Sequence, residues 1–317
     1  MARLTVTPLH PHFGARVEGV DLAAPLDDAT FAAIAEAFDQ HSVLVFAGQR
    51  LTDEQQMAFS RRFGPLETTI RAAGRENRLH PNLVDLSNVD PERGEGLMGW
   101  ADRRMVYQSG NQLWHSDSSF KPVPAMASLL SAREVPPVGG ETEFASMRHA
   151  WAALPEATRR RIDGRVAVHS ILYSRSTVAP GLFDDDEARA LPPVRQALVR
   201  ANPRNGRKSI FVGSHAWYVE GMDHDESRRL LDDLLAHATG PGCVYQHRWQ
   251  PWDLVMWDNR CVLHRGRPWD AARHRRVMRR TTVAGDGPTA EPPFATRTPA
   301  WDGIVPESLG APQGATA

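Results

Sequence analysis

The feature that most constrains the fold of this chain is a short motif, His115-Ser116-Asp117, together with His264 much further along the sequence. Two imidazoles and one carboxylate can hold a mononuclear non-haem Fe(II) ion on one side and leave the opposite positions open for a co-substrate and dioxygen. In a β-strand, residues two apart project from the same face, so we expect His115 and Asp117 to reach one ion from a strand. A single site then requires a fold that brings distant parts of the chain together.

The specificity of this motif can be judged against a similar triplet. The chain has 13 histidines, and only His115 stands two residues before an aspartate. In His224-Asp225-Glu226 the second acid is a glutamate, and the leucines that follow recur at helical spacing. Acidic residues at a helix start complement the helix dipole, and residues two apart on a helix do not face each other. We therefore interpret His224 as a surface residue.

Composition and charge exclude several classes of protein. The 317 residues are 41% hydrophobic, with a formal net charge of −1 and a pI near 6.9, so nothing favours a nucleic-acid or anionic membrane partner. The N-terminus lacks the apolar run of a secretory signal, and no stretch approaches the roughly 20 apolar residues of a membrane span. The two cysteines fit a reducing compartment. We expect a cytoplasmic protein, and the sequence does not decide between a monomer and a homo-oligomer.

Many short apolar segments separated by turn signals predict a mainly β fold with flanking helices, of the double-stranded β-helix (jelly-roll, cupin-like) type. The predicted strands include 16–22, 42–46, 125–132, 141–145, 209–212, 243–247, 253–257 and 277–283, and the predicted helices are 27–40, 52–63, 147–162 and 223–237. We assign residues 1–287 to one domain with lid insertions near 68–110 and 175–195. Residues 288–317 are expected to form a flexible C-terminal tail.

Three segments carry a resemblance to a known family: residues 111–120 (NQLWHSDSSF), 136–144 (PPVGGETEF) and 257–265 (WDNRCVLHR). They closely resemble segments of the taurine / 2,4-dichlorophenoxyacetate dioxygenase family. Its members are Fe(II)- and 2-oxoglutarate-dependent enzymes on a double-stranded β-helix. The resemblance extends from about Leu9 through Thr282 and is greatest to the 2,4-dichlorophenoxyacetate branch. It implies Fe(II) as the metal, with 2-oxoglutarate and O2 as co-substrates.

The resemblance also implies roles for individual residues. His115, Asp117 and His264 match the iron ligands of the family. Arg276 matches the arginine that holds the distal carboxylate of 2-oxoglutarate, and Thr142 matches the hydroxyl that assists it. The chemistry agrees, because a guanidinium fork grips a carboxylate with two parallel charge-assisted hydrogen bonds.

Arg280 matches the position that contacts the anionic group of the substrate. On a strand, Arg276 and Arg280 would face the same side, so one element could anchor both acids. The stretch between His264 and Arg276 is one residue longer than in the best-known relatives. Arg275 and Arg279 therefore remain a competing pair on the opposite face.

Two weaker matches concern the substrate pocket. Arg71 resembles a basic position on the lid, although a solvated arginine is an equal alternative. Asn111 matches a polar pocket residue, with a turn residue at a strand end as the less favoured alternative. His169, His215 and His247 lie in apolar or strand-like stretches typical of buried, hydrogen-bonded histidines. Of these, we consider His215 a candidate for lining the pocket.

The resemblance implies hydroxylation of the carbon between the ether oxygen and the carboxylate of an aryloxyalkanoate. The products would be a phenol, a 2-oxoacid such as glyoxylate, succinate and CO2. A sulfonate, an alkyl sulfate or another small organic acid is the alternative substrate, because Arg280 would bind any such anion. Two other classes are a zinc hydrolase and a non-catalytic jelly-roll binding module. A buried dicarboxylate anchor disfavours the first, and the intact set of three ligands disfavours the second.

Overall fold

The computed structural model describes residues 4–68, 79–90 and 96–295, and these form sheets flanked by helices. The strands, in chain order, are β1 (Thr5–Pro8), β2 (Ala15–Glu18), β3 (Val43–Phe46), β4 (Val84–Asp85), β5 (Val89–Asp90), β6 (Gly96–Leu97), β7 (Ala127–Glu134), β8 (Thr142–Ser146), β9 (Val166–His169), β10 (Val194–Ala197), β11 (Val199–Ala201), β12 (Lys208–Ile210), β13 (Ala216–Val219), β14 (Val244–His247), β15 (Leu254–Asp258), β16 (Val262–Gly266) and β17 (Val277–Val283). The α helices are α1 (Asp28–His41), α2 (Asp53–Arg61), α3 (Arg103–Ser109), α4 (Met147–Ala153), α5 (Glu156–Ile162), α6 (Ile171–Ser176), α7 (Asp185–Arg189) and α8 (His224–Ala238).

The larger sheet has the strand order β1-β2-β3-β15-β7-β17-β4. Adjacent strands of this sheet are antiparallel, except that β2 and β3 are parallel. In β3 every residue is buried because both faces of the sheet are covered. Val43 and Val45 belong to one hydrophobic cluster, whereas Leu44 and Phe46 belong to another, as the alternation of side chains along a strand requires.

The smaller sheet of the central pair, of order β14-β8-β16, packs against the larger one through shared core residues. Phe144 of β8 packs in the same cluster as Val45 and Trp257 of the larger sheet. The neighbouring residues Ala145 and Leu263 belong instead to a cluster that includes side chains of α4 and α8. Two facing sheets covered by helices are the jelly-roll arrangement that the sequence predicted, and the predicted fold class is confirmed.

The helices over the larger sheet begin within one residue of their predicted starts at 27 and 52. Asp27 caps α1, and Thr52 and Gln55 form a capping box at the start of α2. Phe38 of α1 and Phe59 of α2 pack on the outer face of the larger sheet. Among the described residues, no helix combines the length and the apolar character needed to cross a bilayer.

Two predicted elements differ from the structure. The single helix expected over 147–162 is divided into α4 and α5, because Pro155 forces the preceding Leu154 out of the helical region, to ψ 144°. The strand expected over 16–22 ends at Glu18, because Gly19 adopts a positive φ of 81° and the chain leaves the sheet there.

The predicted insertions and tail are only partly described. Within 175–195, α7 begins with a capping box between Asp184 and Glu187, and Arg103 of α3 forms an ion pair with Glu187. Within 68–110, residues 69–78 and 91–95 lie outside the described residues. Residues 288–295 belong to the folded domain rather than to a free tail, since the Arg195 amide donates to Pro293 and Val194 bridges Phe294. Residues 296–317 lie outside the described residues.

Candidate metal centre

Two main-chain hydrogen bonds join the candidate histidines. The amide of His115 donates to the carbonyl of His264 (3.0 Å), and the amide of His264 donates to the carbonyl of His115 (2.9 Å). His264 lies on β16, and His115 pairs with it as an isolated bridge outside any strand. The two imidazole centroids are 4.1 Å apart as a result.

Asp117 reaches the histidines through a turn, so the expectation that His115 and Asp117 project from one strand is wrong. The chain turns over residues 117–120, and Ser118 adopts a left-handed conformation with φ 57°. The Ser118 hydroxyl donates to the Glu67 carboxylate (2.7 Å), which ties the turn to the segment that follows α2. The two side chains still converge, but the turn brings them together rather than the period of a strand.

The three side chains are buried and offer donor atoms to a common point. Asp117 Oδ1 lies 3.8 Å from His115 Nε2, and Asp117 Oδ2 lies 3.7 Å from His264 Nε2. The Nδ1 of His115 donates to the Leu113 carbonyl (2.8 Å), which leaves the Nε2 lone pair facing the other two groups. Across the described ranges, no other set of three His, Cys, Asp or Glu side chains converges in this way. The donor set fits a divalent transition metal.

The protonation states favour metal binding. Burial lowers the pKa of His115 to about 4. Burial and the adjacent His115 hold the pKa of His264 well below its ordinary value. Burial would raise the pKa of Asp117, but the Arg280 guanidinium and the two imidazoles outweigh this effect and lower it. At neutral pH the set is two neutral imidazoles and one carboxylate, the forms in which these groups bind metals.

A buried network that the sequence reasoning missed orients the Asp117 carboxylate. Ser128 Oγ donates to Asp117 Oδ2 (2.7 Å), and Asn259 Nδ2 donates to Ser128 Oγ (2.9 Å). Asn259 Oδ1 accepts from the Asp117 amide (3.1 Å) and from Trp257 Nε1 (3.0 Å). The only sequence signal for Asn259 is its place in the segment 257–265 that carries the family resemblance.

A cavity beside the two histidines contains a buried guanidinium without an acidic partner. Arg276 is 8% exposed, its Nε has no hydrogen-bond partner, and no carboxylate of the described residues lies within ion-pair distance. Its guanidinium carbon lies 5.1 Å from the centroid of the Trp269 ring. Burial lowers the pKa of Arg276 to about 10, so it stays charged at neutral pH. A buried, unpaired cation is costly, and a bound anion would satisfy it.

Thr142 and Gly140 complete this part of the cavity. Thr142 Oγ1 accepts from Trp249 Nε1 (3.0 Å), so its own proton remains available to donate. Gly140 has a φ of 72°, and a Cβ there would lie 3.2 Å from Arg276 Nε. The glycine therefore leaves room for the guanidinium.

The arginines around β17 divide into two pairs. Arg276 and Arg280 line the cavity beside the histidines. Arg275 instead forms two hydrogen bonds with Glu134 (2.7 and 3.1 Å), and Arg279 pairs with Asp85 (2.6 Å). The geometry therefore favours Arg276 and Arg280, and not Arg275 and Arg279, as the arginines that contact a ligand inside the cavity.

A second cavity includes Asp117 and shares Asn111, His115 and Arg280 with the first. Its apolar lining includes Tyr107, Phe120 and Ile171. Asn111 lies in a 3-10 turn, Gly110–Gln112, and its Oδ1 accepts from Arg175 Nη2 (3.1 Å). Arg71, the other predicted pocket residue, lies outside the described residues.

Of the other histidines, His215 and His247 are buried and hydrogen-bonded as their sequence context indicated. The expected hydrogen bonds of His169 are wrong: the residue is buried against Phe211, and neither of its ring nitrogens has a hydrogen-bond partner among the described residues. His215 lines the second cavity, with Nδ1 3.0 Å from Ser119 Oγ, and burial followed by the charge of Arg175 lowers its pKa. His247 is buried against Asp253 (3.1 Å). His224 begins α8 at the surface.

Comparison with known proteins places this geometry in a family. The family model described as taurine catabolism dioxygenase TauD, TfdA family matches residues 5–282. An alpha-ketoglutarate-dependent 2,4-dichlorophenoxyacetate dioxygenase of Cupriavidus pinatubonensis is 46% identical, covering 88% of this chain and 98% of its own. An (S)-phenoxypropionate/alpha-ketoglutarate-dioxygenase of Sphingobium herbicidovorans is 40% identical, covering 92% and 98%.

A solved structure agrees with the fold. The crystal structure of AAD-2 in complex with Mn(II) and N-oxalylglycine superposes with a TM-score of 0.83 at 43% identity, covering 91% of this chain and 99% of that one. The matched region contains both facing sheets and all three converging side chains. This chain belongs to the TauD, TfdA family of dioxygenases.

Proposed function

We propose that this protein hydroxylates the carbon next to the ether oxygen of an aryloxyalkanoate, using Fe(II), 2-oxoglutarate and O2. One observation carries the proposal: the buried group His115, Asp117 and His264 adjoins the buried, unpaired guanidinium of Arg276. The first offers a place for a divalent metal, and the second a place for the far carboxylate of a dicarboxylic acid. Relatives named for 2,4-dichlorophenoxyacetate and phenoxypropionate support the substrate class.

The chain's own residues hold the ligand set in place. Two imidazole nitrogens and one carboxylate oxygen are the donor set of non-haem Fe(II) oxygenases. When bound, iron supplies the oxidising chemistry, in which O2 gives one oxygen atom to the substrate and one to the succinate formed, with CO2, from 2-oxoglutarate. Ser128 and Asn259 fix the carboxylate of Asp117, and the Leu113 carbonyl fixes the ring of His115.

Arg276 and Thr142 hold the far carboxylate of 2-oxoglutarate in this proposal. The Arg276 guanidinium lacks a competing acid, so both prongs of its fork are available for a bidentate pair. Thr142 adds a hydroxyl that accepts from Trp249 Nε1 and can donate its own proton to the carboxylate. Trp257, Trp269 and Leu130 form apolar walls of the same cavity and exclude water from the ion pair.

Arg280 and Asn111 contact the substrate carboxylate, and Arg71 is proposed to approach it from the lid. The Arg280 guanidinium donates to Asp117 and retains further N–H groups for an incoming anion. Tyr107 and Phe120 offer an apolar, aromatic lining for the aryl ring of the substrate. Anchoring the carboxylate next to Asp117 places the adjoining carbon close to the candidate metal.

Hydroxylation at that carbon produces a hemiacetal, because the carbon already bears the ether oxygen. The hemiacetal then collapses: the bond to the ether oxygen breaks, the proton of the new hydroxyl ends on the departing phenolate, and the carbonyl of a 2-oxoacid forms. From an aryloxyacetate the products are a phenol and glyoxylate. The same arrangement of Arg280 would accept a sulfonate or an alkyl sulfate, which are the alternative substrates.

Loss of one candidate ligand should abolish metal binding. We expect His115→Ala to weaken Mn(II) binding about a hundredfold or more, and to end 2-oxoglutarate-dependent succinate release, because a three-ligand site loses a direct bond. Calorimetric titration with Mn(II) measures the first effect. His224→Ala, at the similar surface triplet, is the matched control and should bind as the wild type does. Full Mn(II) affinity in His115→Ala would remove the assignment.

Replacing Arg276 or Arg280 should raise the KM for a different ligand in each case. We expect Arg276→Ala to raise the KM for 2-oxoglutarate about tenfold or more, since a charge-assisted bidentate pair is lost. Arg280→Ala should raise the KM for the aryloxyalkanoate by a similar factor. Arg275→Ala and Arg279→Ala, whose native partners are Glu134 and Asp85, are the controls and should change either KM less than threefold. If Arg275→Ala and Arg279→Ala raised the KM values and the other two variants did not, Arg275 and Arg279 would be the arginines that face the cavity.

The substrate class is tested by succinate release with a panel of phenoxyacetates, phenoxypropionates and small sulfonates at fixed Fe(II) and 2-oxoglutarate. We expect stoichiometric succinate and phenol with at least one aryloxyalkanoate, and succinate near the background rate with the sulfonates. Release coupled to sulfonates alone would contradict the aryloxyalkanoate assignment while leaving the dioxygenase chemistry intact.

A further inference from the structure

Arg175 is a buried cation in the second cavity to which the proposed function so far gives no role. It lies in the last turn of α6, is 4% exposed, and its Nε has no hydrogen-bond partner. Its Nη2 donates to Asn111 Oδ1 (3.1 Å), and its Nη1 approaches Ser174 Oγ (3.4 Å). The guanidinium carbon is 5.0 Å from the centroid of the Tyr107 ring. These neighbours are all neutral.

The other cations of this cavity are paired. Each of them contacts a carboxylate: Arg104 contacts Asp85, Lys121 contacts Glu67, and Arg280 contacts Asp117. Arg175 has no carboxylate at ion-pair distance among residues 4–68, 79–90 and 96–295. Burial lowers its pKa, but an arginine remains protonated in proteins. Arg175 is therefore a positive charge of this cavity that forms no ion pair with any described acid.

Gly110 shows that the surrounding chain accommodates this guanidinium. A Cβ at position 110 would lie 2.3 Å from Nη1, 2.4 Å from Cζ and 2.5 Å from Nε of Arg175. The backbone of Gly110 has a φ of −60°, which any residue can adopt. A Cβ at position 110 would therefore displace the guanidinium of Arg175, whereas the conformation of the turn does not itself call for glycine.

We infer that Arg175 is a second anchor for the substrate carboxylate, acting together with Arg280. The inference rests on the proposed function and specifies its substrate site further. Arg280 is engaged with Asp117 through one Nη, and the Nε groups of both Arg280 and Arg175 have no hydrogen-bond partner in the described part of the chain. Both side chains line the same cavity as Asn111. A carboxylate has two oxygens, so it can accept from two guanidinium groups at once. Two fixed contacts orient the acid, where one would leave it free to rotate.

A purely structural role is the competing explanation, in which Arg175 only ties α6 to the 3-10 turn through Asn111. The two explanations differ in whether the positive charge of Arg175 is needed. Arg175→Gln retains an N–H group that can reach the Asn111 side chain but lacks the charge, whereas Arg175→Lys retains the charge. Gly110→Ala displaces the guanidinium without removing it from the chain. Arg189→Gln, at the exposed Arg189–Asp186 pair, is the control for loss of an arginine charge.

The test is calorimetric binding of phenoxyacetate and, separately, of 2-oxoglutarate to the full-length Mn(II)-loaded chain. We expect Arg175→Gln and Gly110→Ala to weaken phenoxyacetate binding about tenfold or more, because a charge-assisted contact is lost. Their 2-oxoglutarate affinity should stay within about twofold of the wild type, because Arg276 is intact. Arg175→Lys should bind phenoxyacetate more tightly than Arg175→Gln.

The inference is overturned if Arg175→Gln binds phenoxyacetate as tightly as the wild type, or if Arg175→Lys binds it no better than Arg175→Gln. Equal loss of affinity for both ligands would assign Arg175 a structural role and also overturn it. Wild-type succinate release with phenoxyacetate, measured in parallel, reports on the proposed function separately. A wild type that neither binds nor turns over any aryloxyalkanoate would end the proposed function, and this inference with it.

Discussion

The two main-chain hydrogen bonds between His115 and His264 are the constraint on which the site depends. They fasten the turn that carries Asp117 to β16 of the smaller sheet. On that sheet β16 pairs with β8, with Gly266 opposite Thr142. The candidate metal ligands and the candidate dicarboxylate anchor are therefore positioned by neighbouring strands, and Arg276 approaches them from the start of β17 in the facing sheet. The site lies where the two sheets meet.

The buried charges around the candidate metal ligands determine which ligands the two cavities favour. Asp117 is the carboxylate of the ligand set, and it is already engaged by Arg280 and by the Ser128 hydroxyl. Arg175 and Arg276 have no acidic partner in the described part of the chain. Because unpaired buried cations are costly, an anion bound beside each guanidinium would be stabilised. In the proposed arrangement, the dicarboxylate co-substrate pairs with Arg276 and the monocarboxylate substrate pairs with Arg175.

Local signals in the sequence predicted much of the fold but little of the support around the site. The strand predicted over 42–46 and the helix predicted from residue 52 follow from short-range patterns, and both were confirmed, at Val43–Phe46 and Asp53–Arg61. The turn at Asp117 was missed, because a two-residue spacing fits a turn as well as a strand. The bonds from Asn259 and the packing of Arg175 on Gly110 join residues far apart in the sequence. No periodicity encodes such contacts, so they emerge only once the chain is folded.

The most direct measurement is a crystal structure of the full chain with Mn(II) and 2-oxoglutarate, using anomalous scattering to locate the metal. We expect one metal peak within about 2.3 Å of the side-chain donors of His115, Asp117 and His264. We also expect the far carboxylate of 2-oxoglutarate to form a bidentate pair with Arg276. A metal peak elsewhere, or a dicarboxylate that leaves Arg276 unpaired, would contradict the proposed site.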